Sequence, residues 1–476
     1  GLAFARESQR LFREDLRLLV MSATLDCAAV TALLPDATTI SCEGRLFAVT
    51  TQYLDRPIDG HLESAVVRSI RQALAVEPGS LLVFLPGMAE IRRVERQLHE
   101  SRLSPDIIIA PLHGELPQDE QEQAIRPAPS GRRKIVLATS IAETSLTIEG
   151  VRVVIDAGLI RVPRFDPRSG LTRLDTIRVT QDAADQRRGR AGRLEPGTCY
   201  RLWTNAEHQG LLPRRPPEIL EADLAPLALD LAEWGVIDAT ELSWLDPPPA
   251  GALAQARELL RQLGALDAQG ALTAHVTVHP RLAHMMVAAV SLGLGALACD
   301  LAALLSERDI VHGGPGWRNA DLRLRAEALH GSKEHLAGAT INRAGCDRVR
   351  RASDQWQRQL RLGPPSDAGI DQIGILLAFA YPDRVAQRVP ASEGRYRLAN
   401  GRGTAFQVHQ SLPQHEYLVV AHLAATGDWA RILAAAPVRL QDLERYCVEQ
   451  IRSVDVLEWD DRSESVRARR QRRFGE

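Results

Sequence analysis

Between Gln186 and Arg193 the chain reads Gln-Arg-Arg-Gly-Arg-Ala-Gly-Arg, four arginines and two glycines in eight residues. A guanidinium is a rigid, permanently charged fork that matches phosphate oxygens, and glycine lets a backbone come close to a partner. Arginines placed to neutralise a transferring γ-phosphoryl group are the arginine fingers of nucleotide hydrolysis. The plain alternative is a solvated basic face, the common fate of an arginine cluster. The run alone does not separate the two. Upstream, Ala138-Thr139-Ser140-Ile141-Ala142-Glu143-Thr144-Ser145-Leu146-Thr147-Ile148 lies between the apolar runs Ile135–Leu137 and Val151–Ile155. Strand, hydroxyl-rich turn, strand is a layout in which strand ends present hydroxyls and backbone amides to a ligand. Leu81–Leu85 is a buried-type strand that ends in Pro86-Gly87, before an amphipathic helix through Ile91, Val94 and Leu98. Nearer the start, Leu18–Met21, expected as a strand, runs into the turn Ser22-Ala23-Thr24. Each segment alone would pass as ordinary α/β scaffolding.

In this order the four segments resemble motifs III, IV, V and VI of superfamily 2 helicases. The Gln-Arg-x-Gly-Arg-Ala-Gly-Arg form, with Ile-Ala-Glu-Thr-Ser-Leu-Thr, resembles the DEAH-box branch. Tyr381-Pro382-Asp383-Arg384, Arg395–Gly403, Val278–Ala283 and Asp354-Gln355-Trp356 are similar to the bacterial HrpB type, and the resemblance covers essentially the whole chain. It implies an ATP-dependent helicase that couples hydrolysis of ATP with Mg2+ to 3′→5′ movement on single-stranded RNA, or DNA. Carried over residue by residue, it puts Gln186, Arg190 and Arg193 at the γ-phosphate and Thr147 and Glu149 at the ribose. Glu149 stands where the family usually has Asp. The resemblance runs the RNA strand across Gly114, Glu115 and Leu116 and across Thr139 and Ser140, the last where the family commonly has Asn. Ser22 and Thr24 fall at the element that couples hydrolysis to strand movement, although Thr24 and Asp26 are also good helix N-caps. Arg187 and Arg188 suit structural or RNA contacts, and His113 reads as a helix-entry or core histidine.

Two expected motifs do not occur. The chain has two lysines, Lys134 and Lys333, and neither completes a G-x-x-x-x-G-K-[ST] phosphate loop. No D-E-x-H box occurs either; Asp119–Glu122 follows Pro117 on a helix with no strand before it. In the family both motifs lie on the first RecA-like domain, ahead of the Ser-Ala-Thr motif. The sequence is therefore expected to start inside that domain and to stop as the HrpB C-terminal region begins. ATP and Mg2+ would be held mainly by the part before it, and the chain as given is expected not to hydrolyse ATP unaided. The competing expectation is a non-catalytic module, derived from a helicase, that binds single-stranded nucleic acid or a protein. A reading frame upstream encoding the phosphate loop and acidic box would decide between them.

Composition is that of an ordinary globular protein, 476 residues with 45% hydrophobic and 25% charged. The net charge of −2 gives no global basic field, so nucleic-acid affinity must come from a local surface. Six scattered cysteines without a C-x-x-C pair read as free buried thiols in a reducing, cytoplasmic setting, with no metal site. The longest apolar stretch, Met285–Leu305, is broken by Ser291, Gly293, Gly295 and Asp300 and reads as a core helix pair, not a membrane span. Oligomeric state is not readable.

The elements that must position these residues are α/β. Strands at Thr50–Leu54, Leu81–Leu85, Ile107–Pro111, Ile135–Ala138, Val151–Asp156 and Thr198–Trp203 alternate with helices at Leu62–Ala75, Glu90–Ser101 and Gln118–Ile125, which predicts a parallel sheet covered on both faces. Arg161–Arg178 reads as a hairpin about Asp166–Gly170, where the family carries a strand-separating hairpin. Residues 1–44 are expected as the end of a first RecA-like domain and 45–205 as the second. A winged-helix-like domain at 206–275 follows, with a helix over Ile219–Trp234, another running to Leu263 and a short strand at 271–273. A helical bundle at 276–365 comes next, its joint His275–His279 shorter than the family's. An OB-like domain at 366–440 has strands at Tyr396–Leu398, Ala405–His409 and Tyr417–Ala424, with Arg395, Arg397, Arg402 and Tyr396 available to a single strand and Tyr396 and Phe406 equally suited to the core. Residues 441–476 open a C-terminal extension that ends in a helical basic run, Arg467–Arg473.

Overall fold

Apolar runs become parallel strands in the first part of the computed structural model. The structure describes residues 1–476 except 23–26, 42–46, 102, 115, 144–146, 167–170, 267–277, 314–318, 332–337, 363–368, 391, 408–409, 425–428, 461–464 and 476. It divides into two units: Gly1–Arg164 with Leu174–Ala222 and Leu242–Asp246, and Phe165–Arg173 with Asp223–Glu241 and Pro247–Glu476.

Up to Ala222 the chain runs α1 (Leu2–Leu11), α2 (Cys27–Leu33), β1 (Val49–Tyr53), α3 (Leu62–Val76), β2 (Ser80–Phe84), α4 (Met88–Glu100), β3 (Ile107–Leu112), α5 (Gln118–Ile125), β4 (Arg133–Ala138), β5 (Val151–Asp156), β6 (Leu159–Asp166), β7 (Leu171–Arg178), α6 (Gln181–Gly189), β8 (Gly197–Arg201) and α7 (Asn205–Gln209). Six strands form one sheet, ordered β1-β8-β5-β2-β4-β3, with every neighbour parallel. Successive side chains on a strand point to opposite faces. Leu81 and Val83, with Ile135, Leu137, Val153 and Ile155, pack on Val66 and Ile70 of α3 and Ile91, Val94 and Leu98 of α4. Leu82, Phe84, Val136, Ala138 and Val154 face the other way, onto Ala124 of α5, Ala142, Ile148 and Ala191. β6 and β7 pair as the expected hairpin, whose tip lies outside the described residues.

Two adjacent cations on β4 bind the layers together. Arg133 donates to the carbonyls of Leu74, Glu77 and Gly79 at 2.7–2.9 Å, closing the C-terminal end of α3. The ammonium of Lys134, buried, donates to the carbonyls of Gln123 (2.9 Å) and Arg126 (2.6 Å) at the end of α5. Both cations meet the negative end of a helix dipole. Burial lowers the pKa of each.

The N-terminal segment departs from expectation. Leu18–Met21 forms no strand; it has no ladder partner among the described residues, and Leu19 and Met21 stand exposed. Apolar content alone does not make a strand where no neighbouring strand completes its hydrogen bonds. Cys27 is exposed rather than buried, whereas Cys199, Cys299, Cys346 and Cys447 are buried free thiols.

The second unit runs α8 (Ala225–Glu233), α9 (Ala250–Gln262), α10 (Pro280–Val290), α11 (Gly295–Ser306), β9 (Val311–Gly313), α12 (Leu322–Leu329), β10 (Ala339–Ile341), α13 (Arg343–Gln359), α14 (Ile373–Ala380), β11 (Val385–Arg388), β12 (Arg395–Leu398), β13 (Gly403–Ala405), β14 (Tyr417–Ala424), β15 (Ala430–Pro437), α15 (Leu440–Tyr446), β16 (Ile451–Asp460) and β17 (Ser465–Phe474). α8 starts six residues later than the apolar stripe from Ile219 implies. Pro226 falls in its first turn, where a missing N–H costs nothing, and Asp223 accepts the Ala225 N–H at 2.9 Å. The short strand expected at 271–273, and the joint up to residue 277, lie outside the described residues. Met285–Leu305 is the expected helix pair, α10 and α11, which share a core with Val349, Trp356 and α14. No described helix is long and apolar enough to cross a membrane.

β11-β12-β13-β15-β14 close a small barrel. Tyr396 is fully buried there, edge-on to Phe406 at 5.9 Å, so it serves the core. β13 ends at Ala405, shorter than the run expected to His409, and residues 408–409 are outside the described set. Gly374 of α14 lies so close to β15 that a Cβ there would stand 1.9 Å from the Pro437 carbonyl oxygen. The basic run Arg467–Arg473 is not helical: it is β17, paired antiparallel with β16 along its whole length.

One ion pair in this unit gives a pH dependence. Asp300 accepts from Ser353 Oγ at 2.6 Å and stands 3.1 Å from His330 Nε2, and this hydrogen bond raises the His330 pKa. A raised histidine pKa contributes stability that is full below the unfolded value, about 6.5, and is lost as pH climbs through the folded one. His330 is largely exposed, so the effect is expected to stay under about 1 kcal/mol. Urea midpoints on either side of that pH should differ in the wild type and converge in His330→Gln; an unchanged difference would reject the assignment.

Candidate active site

Parallel strands bring their C-terminal ends to one edge, and in open α/β sheets that edge is where ligands bind. β3 and β4 are neighbours, with Leu112 opposite Ala138. The turns after them therefore lie side by side: His113, Gly114 and Leu116 after β3, Thr139 and Ser140 after β4. The Thr139 N–H donates to Leu112 O at 3.2 Å, and Leu116 donates to His113 O at 3.2 Å. Thr139, Ser140, Gly114 and Leu116 are half-buried, whereas His113 is buried, as expected of a core histidine. Glu115 lies outside the described residues.

From Ser140 the backbone winds into a single 3-10 turn, Ser140–Ala142, pinned by Ala142 in the core. The next residue, Glu143, receives the arginine run. Arg187 Nε donates to Glu143 Oε1 at 2.7 Å, and its Nη1 donates to Asp156 Oδ1 at 2.8 Å. Asp156 ends β5, is 0% exposed, and takes the Gly158 N–H at 2.8 Å with the same oxygen. The Arg187 guanidinium also lies over the Phe84 ring, 4.9 Å from its centroid. At 1% exposure Arg187 is a structural cation, one of the two roles its position suggested. Burial raises the Glu143 pKa against the pull of Arg187.

Arg190 donates to the Glu143 carbonyl oxygen, and Arg193 to Thr147 Oγ1. Burial, with Arg193 beside it, pushes the Arg190 guanidinium down to about 10, and burial lowers Arg193 as well. Two partly desolvated cations side by side favour an anion. That environment fits the phosphates of a nucleotide. Their spacing follows from the backbone: α6 gives way to a 3-10 turn at Arg190–Gly192, whose Ala191 is buried in the sheet core. Gly192 is required there, since a Cβ would meet the Phe47 carbonyl oxygen and Val49 Cγ2, both at 2.6 Å. Gln186 is half-buried on α6. Thr147 and Glu149 are exposed on either side of Ile148, which packs in the core and turns its neighbours outward. Ser22 is exposed in a segment without regular structure, and Thr24 lies outside the described residues.

The structure thus joins the 139–149 segment to the arginine run. The pins at that junction, Glu143, Asp156 and Phe84, were not singled out from the sequence. The signal was present in Val153-Val154-Ile155-Asp156, because a carboxylate closing a buried strand needs a cation.

Comparison with known proteins agrees. Residues 65–195 match the helicase conserved C-terminal domain, and residues 450–476 match the connector region of ATP-dependent RNA helicase HrpB. The chain is 41% identical, over its whole length, to the ATP-dependent RNA helicase HrpB of Escherichia coli K12, and spans 57% of that protein. It is 34% identical over 73% of its length to the pre-mRNA-splicing factor ATP-dependent RNA helicase prp22 of Schizosaccharomyces pombe, covering 30% of it. Two crystal structures match the full chain, the E. coli DExH-box NTPase HrpB (TM-score 0.84, 40% identity, 56% of that chain) and the E. coli DEAH/RHA helicase HrpB (TM-score 0.87, 39% identity, 58%). A RecA-like sheet with strand-end turns and an arginine run, followed by helices and a small barrel, places the chain in the DEAH-box family of superfamily 2. Within that family the chain belongs to the HrpB type.

Proposed function

We propose that this chain is the part of an ATP-dependent RNA helicase that grips the strand and completes the nucleotide site. The observation that carries the reading is the turn Thr139–Glu143, which presents Thr139 and Ser140 at the sheet edge while Glu143 is held by both Arg187 and Arg190. Strand and nucleotide residues thereby share one short piece of backbone, so a shift at either reaches the other. ATP with Mg2+, when bound, would supply the γ-phosphoryl group that passes to water, with ADP as the leaving group. Arg190 and Arg193, with Gln186, face the γ-phosphate and offset developing negative charge, while Thr147 and Glu149 reach the ribose. Ser22 and Thr24 couple the nucleotide state to movement along the strand, 3′→5′. ATP and Mg2+ are held mainly by the phosphate loop and acidic box, which in the family lie on the first RecA-like domain ahead of Ser22, and the protein acts in the cytoplasm. The domain limits 44, 205, 275, 365 and 440 belong to the same proposal.

Single-stranded RNA crosses Gly114, Glu115, Leu116, Thr139 and Ser140. Hydroxyls and amides on phosphates carry no base information. Oligouridylate and oligoadenylate are therefore expected to bind with similar affinity, and Thr139→Ala with Ser140→Ala to weaken both by roughly tenfold. Anisotropy titration measures this. A strong base preference, or no loss in the double variant, would reject the strand path. If RNA binds but a phosphate-loop-bearing partner domain restores no hydrolysis, the non-catalytic binding module is the better reading.

A further inference from the structure

Because Arg467–Arg473 is a strand and not a helix, its arginines are sorted by alternation onto two faces of the β16–β17 hairpin. On one face the charges are answered: Arg470 Nε donates to Asp455 at 2.7 Å and Arg472 to Glu444 of α15 at 2.6 Å. Further along that face stand the exposed side chains of Leu457 (73%), Trp459 (61%) and Val466 (63%). The other face differs. Arg452 is directly opposite Arg473, then come Val454 opposite Gln471 and Val456 opposite Arg469. Arg473 bonds only an uncharged group, Gln471 Oε1 at 3.0 Å, in its described contacts, and Arg452 and Arg469 have no ion pair among the described residues.

Like charges directly opposed across two strands repel. Arg452 and Arg473 are nonetheless opposed, on an exposed ribbon whose other face neutralises its arginines. Arg469 follows Arg473 on the same face, about 14 Å along the strand. An extended polyanion lying along the ribbon would relieve the repulsion and meet three guanidiniums in turn.

We infer that the Arg452, Arg469 and Arg473 face of the β16–β17 hairpin is a second binding surface for the sugar-phosphate backbone of single-stranded nucleic acid. It shares no residue with the sheet-edge turns of the first unit. The inference rests on the reading of the chain as an RNA-binding helicase, and adds contacts that carry charge but no base information. The exposed apolar face, by contrast, has the chemistry of a protein contact.

The test uses the full chain and a short fluorescent oligouridylate, titrated by anisotropy over a series of salt concentrations. Each phosphate contact on a single strand adds about 0.7 to the slope of log affinity against log salt, so three contribute about 2. Arg452→Gln, Arg469→Gln and Arg473→Gln together are expected to lower that slope by about 2 and to weaken binding roughly tenfold. The corresponding Arg→Lys triple should keep the slope, and Leu457→Ser with Trp459→Ser should bind as wild type. A Gln triple that binds with unchanged slope, or a loss confined to the apolar-face variant, overturns the proposal, the latter in favour of a protein-facing hairpin. A loss that the Lys triple shares would trace to hairpin structure rather than charge and also overturns it. If the wild type binds no oligouridylate, the helicase reading falls with it; if only the Gln triple fails to differ, the hairpin proposal falls alone.

Discussion

Arg193→Ala or Arg190→Ala, made in a protein that supplies a phosphate-loop domain beside this chain, is expected to lower ATP turnover by roughly 10³- to 10⁵-fold. RNA binding should stay within about twofold, because neither residue lies on the strand-end turns. The expectation follows from their setting. Both guanidiniums are partly desolvated, adjacent to each other, and hydrogen-bonded to neutral oxygens of Glu143 and Thr147. Even with its pKa near 10, Arg190 stays charged at neutral pH, and the low dielectric around it strengthens its action on a developing charge. Lysine should not rescue either position, since an ammonium lacks the planar fork. The loss should fall on kcat more than on KM, the mark of an interaction made in the transition state. Near-normal turnover in either alanine variant would remove that arginine from the γ-phosphate.

The second large effect is on folding. Arg187→Met is expected to destabilise the first unit by about 3–5 kcal/mol, as removal of one member of a buried charge cluster does. Arg187 is the cation for Asp156, which has no access to water, and for Glu143, which is mostly buried. Without it two carboxylates face a low-dielectric interior next to Phe84. The penalty should shrink as the solution is acidified. Burial already raises the Glu143 pKa, and loss of the cation raises it further. A carboxyl with a raised folded pKa favours the folded state as pH falls through that value, where it becomes neutral. Urea unfolding of variant and wild type at neutral and mildly acidic pH measures both the size and the trend. A cost below about 1 kcal/mol would mean the cluster is not what holds the arginine run to the sheet.

Much of the first unit was legible because its signals are local. Val151–Asp156 and Gln118–Ile125 occur as read, the one a buried apolar run and the other a helix launched by Pro117. Of the barrel strands, β12 and β14 were placed by short apolar alternations beside a glycine turn, whereas β11 and β15 were not read. Errors arose where the deciding partner lies far off or a single residue overrides the pattern. Arg467–Arg473 has the residues of a solvated helix and no apolar alternation; its pairing with Ile451–Asp460 makes it a strand. Leu18–Met21 has strand composition, yet no described neighbour completes it. Pro226 shortened α8 from within an otherwise helical stripe. At the site, the arginine run and the hydroxyl turns were visible as motifs. That Glu143 would be the point where they meet depends on β4, β5 and α6 coming together, which no local pattern encodes.

The order of the sheet has a consequence for how the unit assembles. Among the described residues β1 pairs only with β8, its Val49 opposite Gly197, and Phe47 donates to Gly192 O at 2.8 Å. Bringing together partners so distant in the chain carries a large loop-closure cost, so contacts of this range form late. As the chain leaves the ribosome, β2 to β5 can assemble while β1 waits as an unpaired edge until the arginine run and β8 have emerged. The last step of folding is then also the step that seats Arg190 and Arg193. An incompletely made chain would carry a nearly finished sheet with Arg190 and Arg193 unseated, and in the finished protein amide exchange at β1 should report how firmly those two arginines are held.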